Sequence, residues 1–207
     1  MLEGIKTKEG QDHIVLIVAL VGIALTMFMM SWSSYSGRAE NDLRKLERTV
    51  FSRFTHVEKR RGQGVFLPPV KVLGPNGSWV DLGSNGGKYT VLNIWATWCT
   101  PCVEELPSLK RLKESFQDNT DWRVVAVSID RPENQVGLIS FTKKHHVRSV
   151  AEYHDYGQNL RKLFNLDSLP VTLILDPNNQ VIYEMYGDAQ WHDHHMRNLL
   201  NALTLAY

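Results

Sequence analysis

Only two of the 207 residues are cysteine, which excludes a disulfide-stapled scaffold and a structural zinc site built on four thiolates. An excess of charge of one sign is also missing: 23 Lys and Arg face 22 Asp and Glu, leaving no global positive field to hold nucleic acid by counterion release. There is no internal repeat, and the 8 Pro and 14 Gly form no low-complexity tract. What remains is globular composition, 43% hydrophobic and 22% charged, in a chain long enough for one domain plus an appendage.

The appendage is at the N-terminus. Ile14 to Met30 is an uncharged run of 17 residues whose weakly polar members are Gly22 and Thr26. As a helix it spans roughly 26 Å, close to the ~30 Å hydrocarbon core of a bilayer, and Trp32 and Tyr35 follow where an interfacial aromatic belt sits. Residues 14–32 therefore read as a transmembrane anchor behind a short cytoplasmic segment, 1–13. A cleaved signal peptide is the rival, but its apolar core is usually about 7 to 15 residues and the serines after Met30 offer no clear cleavage site. Lys6 and Lys8 before the span are matched by Arg38, Arg44 and Lys45 after it, so charge alone does not orient the anchor.

Residues 33–63 read as a juxtamembrane spacer. Leu43, Leu46, Val50, Phe54 and Val57 recur every three or four positions among basic residues, which predicts an amphipathic helix over 38–62. It could lie on anionic lipid, pair as a short coiled coil interrupted by Arg53, or act as a solvated spacer. Gly62-Gln63-Gly64 then marks the boundary of a domain over 64–207.

Within that domain strand and helix patterns alternate. Lys71 to Leu73 and Trp79 to Leu82 flank a Gly74-Pro75-Asn76-Gly77 turn and predict a hairpin. Tyr89 to Trp95 and Arg123 to Ile129 are short, β-branched and apolar, as strands of a sheet covered on both faces must be, and a helical pattern from Pro101 to Phe116 joins them. Helices over Glu133 to Lys144, Gln158 to Phe164 and Trp191 to Leu203, with strands Val171 to Leu175 and Val181 to Tyr186, complete an α/β domain with one sheet.

The two cysteines, Cys99 and Cys102, fall where the first central strand meets its helix. A thiolate there is stabilised by unpaired backbone N–H groups and the positive end of the helix dipole, which lowers the pKa of Cys99. Cys102, one turn further in, can close a disulfide with it but is more enclosed. Cys99 thus reads as the attacking sulfur and Cys102 as the resolving one. Pro101 suits the first helical turn and, with Thr100, shapes the link between the two sulfurs. A resolving thiol needs a base. Glu105, three residues on, shares a helix face with Cys102, whereas Glu104 points about 200° away. The bland alternative for Glu105 is a solvated acid near a helix N-terminus.

These residues resemble the thioredoxin superfamily, and within it the membrane-anchored TlpA, ResA and CcmG (DsbE) thiol-disulfide reductases. The resemblance covers roughly 66–207 and rests on Gly86-Gly87-Lys88, the VLNIWATWCTPC segment, Glu105-Leu106-Pro107, and Ser168-Leu169-Pro170-Val171-Thr172 before a strand. It implies a thioredoxin-like fold, a mixed sheet flanked by helices with an N-terminal hairpin extension. It also implies a cis Pro170 beside the dithiol, with the adjoining backbone pairing to substrate. Glu105 matches the acid of the ResA-like branch, while Asn93 stands where thioredoxin carries a buried Asp, leaving base chemistry to Glu105. The expected site is therefore Cys99, Cys102 and Glu105, with Trp98, Thr100, Pro101, Leu169 and Pro170 meeting substrate.

The resemblance further implies an enzyme that works without cofactor or metal through its redox-active disulfide. Its partners would be protein disulfides, of the apocytochrome c or oxidase copper-site assembly type, and a membrane thiol donor that re-reduces it. It would sit in the inner membrane as a single-pass protein, catalytic domain on the periplasmic or extracytoplasmic side. A copper-binding protein or a thiol peroxidase on the same fold are the alternatives. His145-His146 and His192, His194 and His195 invite a metal reading, although adjacent histidines on a polar helix are more often simply exposed. Trp95 and Trp98 either cover the dithiol or divide between core and surface, and Asp130-Arg131-Pro132 reads as a loop into a helix.

Overall fold

The computed structural model describes residues 3–84, 86–118, 121–151 and 153–206. It divides into two compact units, Met1–Lys45 and Leu46–Tyr207, and one helix, α1 (Glu3–Phe51), runs from the first into the second.

In the first unit the side chains from 13 to 42 are exposed, and the stretch is long and apolar enough to cross a membrane. Within the helix Thr26 Oγ1 donates to the Ile23 carbonyl at 2.8 Å, and Ser36 Oγ to that of Ser33 at 3.1 Å.

The second unit is built on one eight-stranded sheet. Its strands are β1 (His56–Lys59), β2 (Lys71–Leu73), β3 (Trp79–Asp81), β4 (Tyr89–Trp95), β5 (Trp122–Ser128), β6 (Tyr153–His154), β7 (Val171–Leu175) and β8 (Val181–Tyr186), in the order β1-β8-β7-β4-β5-β6-β2-β3. β4 lies at the centre, parallel to β5 and antiparallel to β7, and all seven of its residues are buried, which explains why its side chains are apolar or β-branched except at Asn93. The helices are α2 (Thr100–Ser115), α3 (Gln135–Lys144, after a 3₁₀ turn at Pro132–Asn134), the short α4 (Arg148–Ala151) and α5 (Asn159–Leu163), and α6 (His194–Ala206). α2 buries Leu106, Leu109 and Leu112, and α6 buries Met196, Leu199, Leu200 and Leu203, each on one face.

Two expectations are corrected. The amphipathic stretch does not continue as a helix to residue 62: α1 ends at Phe51 and residues 56–59 form β1, antiparallel to β8. The pairing is fixed from both ends, since Thr55 N donates to the Tyr186 carbonyl and Arg60 N to that of Ile182, each at 2.9 Å. Arg60 also forks onto the buried Glu184 at 2.9 and 3.3 Å, a charge that could not stay buried without such a partner. Val50 and Phe54, read as a lipid-facing or coiled-coil seam, are buried within this unit. The second compact unit spans Leu46–Tyr207, and Gly62 and Gly64, with φ of 75° and 69°, serve a turn inside it.

The second correction concerns α6, which starts at His194 rather than Trp191. Asp193 caps it, its Oδ1 accepting the His195 N–H at 2.8 Å and the Met196 N–H at 3.3 Å. Trp191 therefore lies in a loop and is free to turn inward.

Candidate active site

Cys99 is the N-cap of α2: its backbone is extended and its sulfur accepts the Cys102 N–H at 3.3 Å, within the field of the helix's unpaired donors. Pro101 occupies the first turn. The two cysteines form a disulfide in which Cys99 is 7% exposed and Cys102 fully buried. Of the two, Cys99 is the one that borders a groove.

Beside Cys99 opens a groove of about 370 Å³ lined by Trp98, Thr100, Pro101, Arg161, Asp167 and Leu169 among others. Leu169–Pro170 is a cis peptide bond. Of the expected substrate-contacting residues, Trp98, Thr100, Pro101 and Leu169 line this groove with Cys99, whereas Pro170 is buried. The two tryptophans divide: Trp95 is wholly buried and Trp98 is 64% exposed. Arg161 and Asp167 are additions that no local motif announces, because they reach the groove from a different part of the chain.

Glu105 is 1% exposed and shares its buried helix face with Cys102, while Glu104 is exposed. The solvated-acid alternative is thereby excluded. Three N–H donors converge on its carboxyl: Asn93 Nδ2 at 2.7 Å on Oε1, with Trp191 Nε1 at 2.7 Å and Ala189 N at 3.1 Å on Oε2. Burial pushes the Glu105 pKa up, the bonds from Trp191, Asn93 and Ala189 pull it back, and the charge of Asp188 raises it slightly, leaving it at about 7. A carboxyl poised there can both take and return a proton near neutral pH. Asn93 also donates to Thr172 Oγ1 at 2.9 Å, which ties β4 to β7 beneath the site.

The loop before Cys99 has an anchor that sequence reasoning passed over. Asp130 is buried, and its carboxyl accepts from Thr97 N at 3.0 Å, Thr97 Oγ1 at 2.7 Å, Ser128 Oγ at 2.6 Å and Asn134 Nδ2 at 3.2 Å. His154 Nε2 donates to the Asp130 carbonyl at 2.8 Å. The available signal was an acid just past the end of the strand parallel to β4, where it meets the β4–α2 loop. Among the described residues no three His, Cys, Asp or Glu side chains are grouped to hold a metal ion; the His194 and His195 rings lie against each other at a tilt of 39°, with centroids 3.8 Å apart.

Residues 86–181 match a protein-family model described as thioredoxin-like. The chain is similar to the thiol-disulfide oxidoreductase ResA of Bacillus cereus, 25% identical over 140 residues, covering 68% of this chain and 79% of that protein. It is similar also to ResA of Oceanobacillus iheyensis, 31% identical over 104 residues, or 50% of this chain and 52% of that one. In fold it resembles a structure described as a DsbE thiol:disulfide interchange protein from Chlorobium tepidum, with a TM-score of 0.59 at 21% identity over 72% of this chain and 99% of that one. It likewise resembles StoA from Bacillus subtilis, with a TM-score of 0.54 at 18% identity over 66% of this chain and 96% of that one. The chain has a thioredoxin-like fold, is similar to ResA proteins, and is a thiol-disulfide oxidoreductase carrying a Cys99–Cys102 pair.

Proposed function

We propose that this oxidoreductase is tethered to the inner membrane by residues 14–32, with 1–13 in the cytoplasm and the domain on the extracytoplasmic side. There it reduces disulfides in partner proteins of the apocytochrome c or oxidase copper-site assembly type, and a membrane thiol donor returns it to the dithiol. The observation that carries the reading is the arrangement along α2: Cys99 at the cap bordering the groove, Cys102 sealed one turn in, and Glu105 sealed beside it.

In the mechanism the Cys99 thiolate attacks one sulfur of a substrate disulfide lodged in the groove between Trp98 and Leu169. A mixed disulfide forms, and the other substrate sulfur leaves as a thiolate that takes a proton from water. Cys102 then passes its proton to the Glu105 carboxylate and attacks Cys99 Sγ, closing the Cys99–Cys102 bond and expelling the second substrate thiolate. Two electrons have moved to the partner, and two cysteines have become one disulfide.

The test is the reduction potential of the full-length chain in detergent, equilibrated with glutathione mixtures and scored by thiol trapping. A value more negative than about −200 mV supports the reductase reading, and a value near −120 mV would make the protein an oxidant of folding chains instead. Failure to form the disulfide at all would bring the metal-binding alternative forward. Capture of cytochrome or copper-site proteins by a Cys102→Ser chain would support the substrate class.

A further inference from the structure

The loop before α6 supplies a donor to the buried acid, and this deepens the proposed function, resting on Glu105 as the base for Cys102. We propose that Trp191 is the positioning residue of the resolving step: its indole N–H holds the Glu105 carboxylate in its ionised, proton-accepting form and in register with Cys102.

A tryptophan is not needed here merely to fill space, since the other buried indoles behave differently. Trp95 and Trp122 bury Nε1–H without a partner, whereas Trp191 Nε1 lies 2.7 Å from Glu105 Oε2. Its backbone is held as well: Trp191 N donates to Ser108 Oγ at 3.1 Å, and that hydroxyl donates to the Glu105 carbonyl at 2.8 Å. The acid and its donor are thus fastened to the same turn of α2. From the other side Phe54 packs on the Trp191 ring, with centroids 5.7 Å apart, and Arg53 pairs with Asp193 at 2.7 Å. The segment that leaves α1 therefore braces the loop.

The groups facing Glu105 are few. Asn93 Nδ2 comes from β4, and Ala189 N and the Trp191 indole come from the loop, all of them donors. Cys102 is the titratable neighbour on its own helix, and Asp188 is the charged group whose field reaches it. Every hydrogen bond given to the carboxyl favours the ionised form, so deleting one raises the proton affinity.

The resolving step can be isolated with 5,5′-dithiobis(2-nitrobenzoate) and the reduced full-length chain. The first phase is attack by Cys99. In the second, Cys102 gives its proton to Glu105, the Cys99–Cys102 bond forms, the bond to the aromatic thiol breaks, and a coloured thiolate leaves. In the native chain this second phase rises with pH through the Glu105 titration. In Trp191→Phe, which keeps the ring and loses the N–H, the rise moves up by about one pH unit, so the phase is about tenfold slower at pH 6. At pH 8.5 it is no slower than in the native chain, because the emptied carboxylate is now the stronger base. Packing damage alone would slow the step at every pH.

Glu105→Gln must abolish the rise, and adding Trp191→Phe to it must change nothing further. Ser108→Ala, a milder change that releases the Trp191 backbone, shifts the rise in the same direction and serves if Trp191→Phe folds poorly. A rise unmoved in both variants, or a uniform slowing, overturns the role of Trp191. Absence of any effect from Glu105→Gln would instead sink the assignment of Glu105 as base, so the two failures are distinguishable.

Discussion

The two sides of the dithiol are built on opposite principles. On the groove side Trp98, Thr100 and Pro101 line the groove with Cys99, and the exposed indole of Trp98 offers apolar surface to whatever arrives. On the inner side Cys102, Glu105, Asn93 and Trp191 are sealed from water, and each oxygen of the Glu105 carboxyl is met by a donor. The attacking sulfur needs access and a stabilised thiolate, which a helix cap supplies at the surface. The resolving sulfur needs protection from stray reagents and a base of matched pKa, which only burial supplies. One helical turn separates the two requirements.

The largest effects should come from removing either sulfur. Cys99→Ser loses the first reaction phase altogether, whereas Cys102→Ser keeps it and accumulates the mixed disulfide, visible by mass spectrometry. Equal accessibility of the two thiols to iodoacetamide in the reduced chain would break the comparison at its root.

Glu105→Gln should slow the resolving phase at pH 7 by on the order of 10²-fold while leaving the first phase intact. The same residue ties stability to pH. Its folded pKa, about 7, lies above its unfolded value near 4.5, so between those limits the folded chain holds the proton that the unfolded chain has released. Stability therefore falls as pH rises through this window, by about 3 kcal/mol in total as an upper bound. Urea titrations at pH 5 and pH 7.5 should show this component in the native protein and lose it in Glu105→Gln.

Asp130→Ala tests whether the groove side depends on buried support of its own. It strips acceptors from Thr97 N, Thr97 Oγ1 and Ser128 Oγ, which should cost about 1–3 kcal/mol in urea melts and slow the first phase more than the second. The smallest effect should be that of Glu104→Gln, one residue from the base but exposed. Stability should stay within about 0.5 kcal/mol and the pH profile should not move.

Much of this was legible from the chain because it is local. Strands β4, β7 and β8 are mostly apolar and β-branched, and the Cys99-Thr100-Pro101-Cys102 segment sits at a strand-to-helix junction whose dipole acts on the nearest side chain. The 3.6-residue period separated Glu105 from Glu104 without any tertiary information. The stretch 52–62 was misread for a related reason: its apolar spacing continues that of α1, and nothing local reveals that β8 offers His56–Lys59 an open edge. Asp130 and Trp191 were missed as site residues because the first lies 33 positions from Thr97 and the second 86 from Glu105, and neither is marked by a motif.

The sequence by itself determined the chemistry: two cysteines at helical spacing on a helix cap, an acid on the inner face, and an apolar segment long enough to span a bilayer, all set by periodicity and dipole over a few residues. Tertiary structure decided how that chemistry is tuned. The proton affinity of Glu105, the support of the Cys99 loop and the pairing of His56–Lys59 with β8 depend on burial and on hydrogen bonds between segments distant in the chain, which form only once the sheet brings them together.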